Sequence, residues 1–356
     1  MRIMTRTAPV PTPSMAEIAR LAGVHQTTVS RALRDDRRLP VATRERIQRV
    51  ARDAGYRANP LVSALVALRR AHHPPRYQAT LAFVAIRTLG DAGERHFAAA
   101  QATAEQLGYK LDLFIIGQSG LTADRLDQVL TARGIHGIVI ASLPDAHSAF
   151  PLSWDRYCTV AIEYTFSSPG FDRVVHDSYR GMRAIMEECR RRQIRRVGLT
   201  LSTAGNERTE ELNSAAFWIE QKTGRFFAPI PPLIQFAWDA AAFTRWFERH
   251  RVNAVVTSNA LLGEVTAWCK ARRLRVGSDV QLINVNVLAG ERISGIIQHH
   301  AAIGAAAVRL VIDKLNRNDR GIPAVRYTTL APGSWHEGIS LRPAPPAQKA
   351  ASPEAR

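Results

Sequence analysis

From Ala79 onward the chain repeats one pattern, and that pattern leaves few folds open. Short apolar runs, ATLAFVAI, KLDLFII, GIVIAS, CTVAIEY, RVGLTLS, APIPPLIQF, NAVVTS and VQLINV, alternate with amphipathic stretches. The stretches between them include HFAAAQATAEQLG, LTADRLDQVLTARG, SYRGMRAIMEECRRR and ERTEELNSAAFWIEQKTG. Runs that are apolar throughout suit strands buried on both faces, and the intervening helices supply the covering layers. The pattern therefore predicts parallel α/β sheets. The runs are too numerous for one small sheet, so two similar lobes are expected within residues 78–341, with the segment Trp335 to Ser340 as a closing strand. A length of 356 residues allows two or three domains, and 46% hydrophobic residues can fill their cores.

The first sixty residues follow a different period. SMAEIARLAG sets Ser14 and Glu17 at capping-box spacing and places Ile18, Leu21 and Ala22 on one helical face. Gly23 suits the left-handed position after a helix end. HQTTVSRAL continues as a second helix with Val24, Val29, Ala32 and Leu33 apolar. After the loop RDDRRLP, VATRERIQRVARDAG forms a third, with Val41, Ile47, Val50, Ala51 and Ala54 expected to face inward. Three short helices with a Gly turn between the first two make a helix-turn-helix module over residues 14–59. Residues 60–77 then read as the apolar helix PLVSALVALRR and a linker. Residues 1–13 and 342–356, rich in Pro with Thr or Ala, are expected to be disordered tails.

Charge narrows the function of that module. The chain carries a net +17, and between Ser14 and His73 twelve arginines face only five acids. Such a concentration of guanidinium suits phosphate and guanine. On the second helix Val29 and Leu33 are four residues apart and can anchor it, which leaves Gln26, Thr27, Ser30 and Arg31 on the outer face. Gln and Arg match the edges of adenine and guanine in a major groove, and Thr offers a hydroxyl and a methyl. Ser14, Ser30, Arg34, Arg38, Thr43 and Asn59 are candidate phosphate contacts, which position a protein on DNA without choosing sequence. A merely solvated surface helix is the alternative for each residue taken alone.

Other functions find little support. There is no G-x-S-x-G, P-loop, G-x-G-x-x-G or HExxH, so an enzyme is not expected. Cys158, Cys189 and Cys269 have no paired spacing and read as buried thiols, and His299-His300 lacks further ligands. No cofactor or metal is expected. The N-terminus has no apolar signal core and no run reaches membrane-spanning length, so a cytoplasmic protein without membrane contact is expected.

Taken together, MAEIARLAGVHQTTVSRALRD…TRERIQRVARDAGYRAN and the later DSYRG, IRRVGL, VGSDVQLINVN and IIQHHAAIGAAAVRLVIDKL resemble the lactose-repressor family of bacterial transcription regulators. The resemblance spans roughly residues 14–341. It implies a helix-turn-helix head, a hinge helix and a two-lobed core like that of periplasmic sugar-binding proteins. It also implies base reading by Gln26, Thr27 and Arg31, and insertion of Val62 and Leu65 of the hinge into the minor groove. A homodimer on a pseudo-palindromic operator in double-stranded DNA follows. Departures exist too. His25 stands where many members have Ser at a phosphate, and Gln193-Ile194 replaces the usual Gly-His. The family's effector-binding Arg falls at Asn213, a later Asp at Asn286, and an Asn-Asp pair at Asn259-Ala260.

In parallel α/β lobes ligands bind beyond the carboxyl ends of the strands. Candidates there are Arg87, Tyr164, Asp177, Asn259, Asn286 and Gln298, joined by Asn213 through the resemblance. The expected function is that of a DNA-binding regulator, read as a repressor, with a small effector between the lobes, a carbohydrate or derivative. A regulator that no longer answers to a small molecule, and a solute-binding protein of the same core fold, are the alternatives.

Overall fold

A computed structural model describes residues 13, 15–33, 39–54, 56, 78–223, 225–288 and 290–343. The N-terminal helices α1 (Met15–Ala22), α2 (Gln26–Leu33) and α3 (Val41–Asp53) share one small core of Ile18, Ala19, Ala22, Val29, Ala32, Ile47 and Ala51. Two residues expected inside are not. Leu21 is 52% and Val41 58% exposed. Three short helices enclose little volume, so the apolar stripe is narrower than the sequence period allows. Gly23 has φ +63°, the left-handed turn that Cβ-bearing residues avoid.

The core holds two six-stranded sheets. In lobe 1, β1 (Ala79–Ile86), β2 (Tyr109–Ile116), β3 (Gly137–Ile140), β4 (Cys158–Ile162), β5 (Asp172–His176) and β11 (Thr328–Ala331) lie in the order β11-β5-β4-β3-β1-β2, all parallel. In lobe 2 the strands are β6 (Val197–Ser202), β7 (Leu233–Gln235), β8 (Ala254–Thr257), β9 (Gln281–Asn284), β10 (Ser294–Ile297) and β12 (Ser334–His336). They lie in the order β12-β10-β9-β8-β6-β7, with only β12 antiparallel. The expected strands are all present. β5 (DRVVH), β10 (SGII) and β11 (TTLA) stand outside the expected set; in β5 polar residues bracket two valines and disguise a fully buried strand.

Helices α4 (Gly90–Gln106) and α5 (Ala123–Ala132) cover lobe 1, and α6 (Ser178–Arg191), α8 (Leu212–Lys222), α9 (Ala240–His250) and α10 (Asn259–Ala271) cover lobe 2. ERTEELNSAAFWIEQKTG is not one helix. A short α7 (Thr203–Glu207) precedes α8, and the left-handed Glu210 and Glu211 break the two apart. The chain passes between lobes after β5, after β10 and after β11, and the second passage leads into α11 (His300–Arg317), which packs on lobe 1. There α11 crosses α4 so closely that a Cβ on Gly304 would sit 2.1 Å from His96 O. Beneath it the buried Lys314 ammonium bonds Asp172 and Asp319, each at 2.8 Å, while Asp172 also accepts the Tyr327 amide. One buried charge thus ties α11 to β5, and its partner carboxylate holds the chain entering β11. All three cysteines are buried free thiols. No helix among the described residues is long and apolar enough to cross a membrane.

Candidate functional site

The head is assembled so that one face of α2 stays free of packing. Val29 and Ala32 are wholly buried, Ser30 is half-buried, and Gln26, Thr27 and Arg31 are exposed together. Their grouping follows from helix period, since residues four apart share a face. The carboxyl ends of the first two helices are held by α3. Arg46 Nη1 donates to Ala22 O at 2.8 Å, and Gln48 Nε2 donates to Ala32 O at 2.9 Å. Those carbonyls lack partners within their own helices, so both side chains fix the angle at which α2 is presented. Arg46 is thereby an internal strut, whereas Arg31 stands outside the fold.

His25 occupies the N-cap of α2. Its carbonyl accepts the Thr28 amide at 2.9 Å, and Nδ1 lies 3.0 Å from Thr27 Oγ1 and 3.4 Å from Thr27 N. Accepting the Thr27 amide requires a bare Nδ1, which places the ring proton on Nε2. The imidazole therefore does the capping of the usual hydroxyl and keeps an N–H donor for another group. Thr43 is half-buried in the first turn of α3. Ser14, Arg34, Arg38, Asn59, Val62 and Leu65 lie outside the described residues.

The second candidate region lies where the carboxyl ends of both sheets meet. Just after β6 and α7, Arg208 reaches across from lobe 2. Its Nη1 donates to Leu143 O and Pro144 O, and its Nη2 donates to Ser142 Oγ at 3.2 Å. These acceptors follow β3 of lobe 1, so one guanidinium straps the lobes together. Glu163, at the end of β4, accepts the His176 amide at 3.1 Å; burial pushes its carboxyl up to about 7, against the pull of that amide and of Arg208. Tyr164 beside it lies under the Arg173 guanidinium, 5.5 Å from the ring centroid, and burial pushes its phenol up to about 12. Arg173 is buried, reaches Glu210 of lobe 2 at 3.7 Å, and leaves its Nε without a partner.

A polar chain crosses the junction at the other side. Asn284 Nδ2 donates to Asn259 Oδ1 and, at 3.0 Å, to Asn286 O. Asn286 Oδ1 lies 3.2 Å from His300 Nε2, and His300 Nδ1 lies 3.1 Å from His96 Nε2 of lobe 1. Burial lowers both imidazoles, His96 to about 3, so each is neutral at pH 7. A carbonyl acceptor at one end fixes the direction. His96 donates to His300, which donates to Asn286, leaving His96 Nδ1 bare, and that atom is buried with no partner.

Measured against expectation, the structure joins Asn259 and Asn286 through Asn284, and sets Tyr164 near the lobe junction. Gln298 donates to Val285 O at 3.0 Å. Asp177 caps α6, accepting the Arg180 amide at 3.0 Å. Arg87 is exposed and pairs with Asp145 within its own lobe, and Asn213 is buried on α8. Sequence reasoning missed Arg208, Glu163, Arg173, Asn284 and His96. For Glu163 and Arg208, one and six positions past a strand, a charge at a strand end was the available signal; Arg173 and Asn284 lie inside strands and His96 inside α4. Which of these side chains turn inward carried no such signal. Among the described residues no cluster of three or more His, Cys, Asp or Glu could hold a metal ion.

Comparison with known proteins bears on both regions. A family model described as "Bacterial regulatory proteins, lacI family" matches residues 14–59. No curated protein matches the chain in sequence. Among solved structures, a complex of the transcriptional regulator CelR with cellobiose is 20% identical with a TM-score of 0.57, over 92% of this chain and 99% of that one. The lac repressor bound to ONPG in its repressed state is 18% identical, TM-score 0.55, over 93% and 100% of the two chains. The lac repressor dimer bound to operator and the anti-inducer ONPF is 17% identical, TM-score 0.55, over 94% and 100%. At these identities the likeness of the core is one of fold.

Proposed function

We propose, from the match of residues 14–59 to the lacI family of bacterial regulatory proteins, that the chain is a homodimeric repressor whose grip on a pseudo-palindromic operator is set by a small molecule held between the lobes. One observation carries the reading: α2 buries Val29 and Ala32 and leaves Gln26, Thr27 and Arg31 exposed, with Arg31 in its last turn and Gln26 and Thr27 at its amino end. That end is the part of a recognition helix that meets base edges in a major groove. Ser30, His25 and Thr43, with Ser14, Arg34, Arg38 and Asn59, contact phosphate. Val62 and Leu65 wedge into the minor groove, where unstacking a step bends the duplex.

Two-fold pairing places two such heads on half-sites a helical turn apart. The solved lac repressor dimer on its operator supports this arrangement by fold. So does the β7 edge of lobe 2, where Ile234 is 37% and Phe236 95% exposed, more apolar surface than a lone chain gains by showing. An effector that binds one lobe orientation better than the other shifts the population of DNA-competent dimers by that difference. The cellobiose complex of a protein of like fold supports a carbohydrate or derivative. Arg87, Tyr164, Asp177, Asn213, Asn259, Asn286 and Gln298 are the candidate contacts.

The second reading, a regulator that no longer answers to a small molecule, is favoured by one observation. Arg208 already bridges the lobes from within the chain, as an effector would. A binding-site selection with the full chain, followed by anisotropy titrations on the selected duplex with and without cellobiose, tests both. A selected palindrome whose affinity moves with a sugar supports the first reading; a palindrome indifferent to sugars and sugar acids supports the second. No enrichment over random duplex would sink both.

A further inference from the structure

A cavity lies at the end of lobe 2 remote from the cleft. It measures about 630 Å3 and sits where the amino ends of β6, β8 and β9 converge. That size falls within the range of small-molecule sites. Its wall carries four arginines, Arg195, Arg196, Arg225 and Arg342, beside Phe226. Its single acid, Asp279, is already taken, since Arg275 holds both carboxylate oxygens at 3.0 and 3.2 Å.

Helix carboxyl termini explain part of this charge. Arg196 Nε donates to His250 O and Arg251 O at the end of α9, and Arg342 donates to Arg192 O just past α6. Cations belong at such ends. Arg195 and Arg225 are different. Among the described residues neither side chain has a hydrogen-bond or carboxylate partner, and Arg195 is held only by lying 4.6 Å over the Phe226 ring. Elsewhere in the same lobe Arg183, Arg190, Arg191, Arg192, Arg272 and Arg275 each meet a carboxylate. Two uncommitted guanidiniums, backed by two more, therefore face one concave space with no free anion in its wall.

We propose that this cavity is a second ligand site, distinct from the cleft, which takes a small molecule carrying a diphosphate. Guanidinium pairs with phosphate oxygens through two parallel N–H donors, so two free arginines suit two linked phosphates better than one. Inorganic pyrophosphate and the tail of a nucleoside diphosphate share that chemistry.

The test is calorimetric titration of the full chain, at physiological salt, with orthophosphate, pyrophosphate and ADP. Pyrophosphate and ADP are expected to bind at least tenfold more tightly than orthophosphate. Equal affinity for the two assigns recognition to the diphosphate alone, and tighter ADP adds a nucleoside contact. The double variant Arg195→Ser/Arg225→Ser is expected to lose at least tenfold, while Arg31→Ala in the DNA-binding head leaves binding unchanged. Because both cavity side chains are exposed and unbonded, the thermal midpoint should hold; Arg225→Glu alone gives a second variant of opposite charge. Failure of both diphosphates to bind, or equal binding in the cavity variants, would overturn the site. So would a loss that appears in the Arg31 variant instead, or competition by duplex DNA that the cavity variants abolish.

Discussion

The head and the lobe junction use the same polar residue types in opposite ways. On α2 the functional side chains are exposed, lie within six residues of one another, and owe their grouping to helix period alone. At the junction Arg208 and Arg173 reach acceptors in the opposite lobe, and His300 links His96 of lobe 1 to Asn286 of lobe 2, partners far apart in the chain. Polar groups on the head wait for a partner from outside. Those at the junction have largely found partners within the chain. A reader of DNA must be complementary to something absent, whereas a hinge must be complementary to itself in at least one of its states.

The comparison can be broken most sharply at the head. Replacing Gln26, Thr27 and Arg31 with Ala should cut specific over nonspecific binding by roughly three orders of magnitude, at about 1–3 kcal/mol for each base edge that is no longer read. The melting midpoint of the head should stay put, because none of the three is buried. Survival of operator preference in an anisotropy titration would remove α2 as the reader. Lys314→Met in the core should do the reverse. It strands Asp172 in the interior and should cost about 3 kcal/mol in denaturant unfolding. Duplex preference would be kept by whatever fraction stays folded.

Acid should separate the regions next. His96 and His176 are lowered by burial to about 3 and about 4, so below pH 6.5 the unfolded chain takes up protons that the folded one refuses. Their stabilisation is full above 6.5 and is lost as pH falls. Glu163 runs the other way, because its folded value near 7 lies above the ordinary 4.5 and gains stability on acidification. With His300 also lowered by burial, the losses outweigh this one gain by at least about 1.4 kcal/mol per pH unit between 6.5 and 4.5. Glu163→Gln removes the gain and should steepen the slope in urea titrations by about 1.4 kcal/mol per pH unit. An unchanged slope would mean that Glu163 titrates as an ordinary surface acid.

The smallest expected effect tests which arginines of the head are struts. Arg46→Ala removes a bond to a helix-end carbonyl and should lower head stability by about 1 kcal/mol. Arg31→Ala should leave it within experimental error while weakening operator binding. If the two variants behave alike, the division between packing and reading inside the head fails.

Much of the fold was legible because each signal was local. The turn at Gly23, the strands ATLAFVAI and VQLINV, and the anchor Val29 all follow from residues within one period of each other. DRVVH was hidden because the strand's polar ends are neutralised by distant groups: Asp172 by Lys314, and Arg173 beside Tyr164 and Glu210. Leu21 and Val41 misled for the converse reason, since a helical period says which face is apolar and not how much core exists to receive it. Asp177 follows β5, and its carboxylate serves as the cap of α6.

By itself, then, the sequence determined a helix-turn-helix head, the residues on its outer face, and a core of alternating strands and helices, because hydrophobic period, capping and turn chemistry act within a few residues. The tertiary structure alone decided that Arg208 spans the lobes, that His96 and His300 form one hydrogen-bonded chain to Asn286, and that Arg195 and Arg225 confront one basic cavity. Those facts depend on burial and on which distant carbonyl or carboxylate lies within hydrogen-bonding reach. A linear order of residues sets neither until the chain has closed.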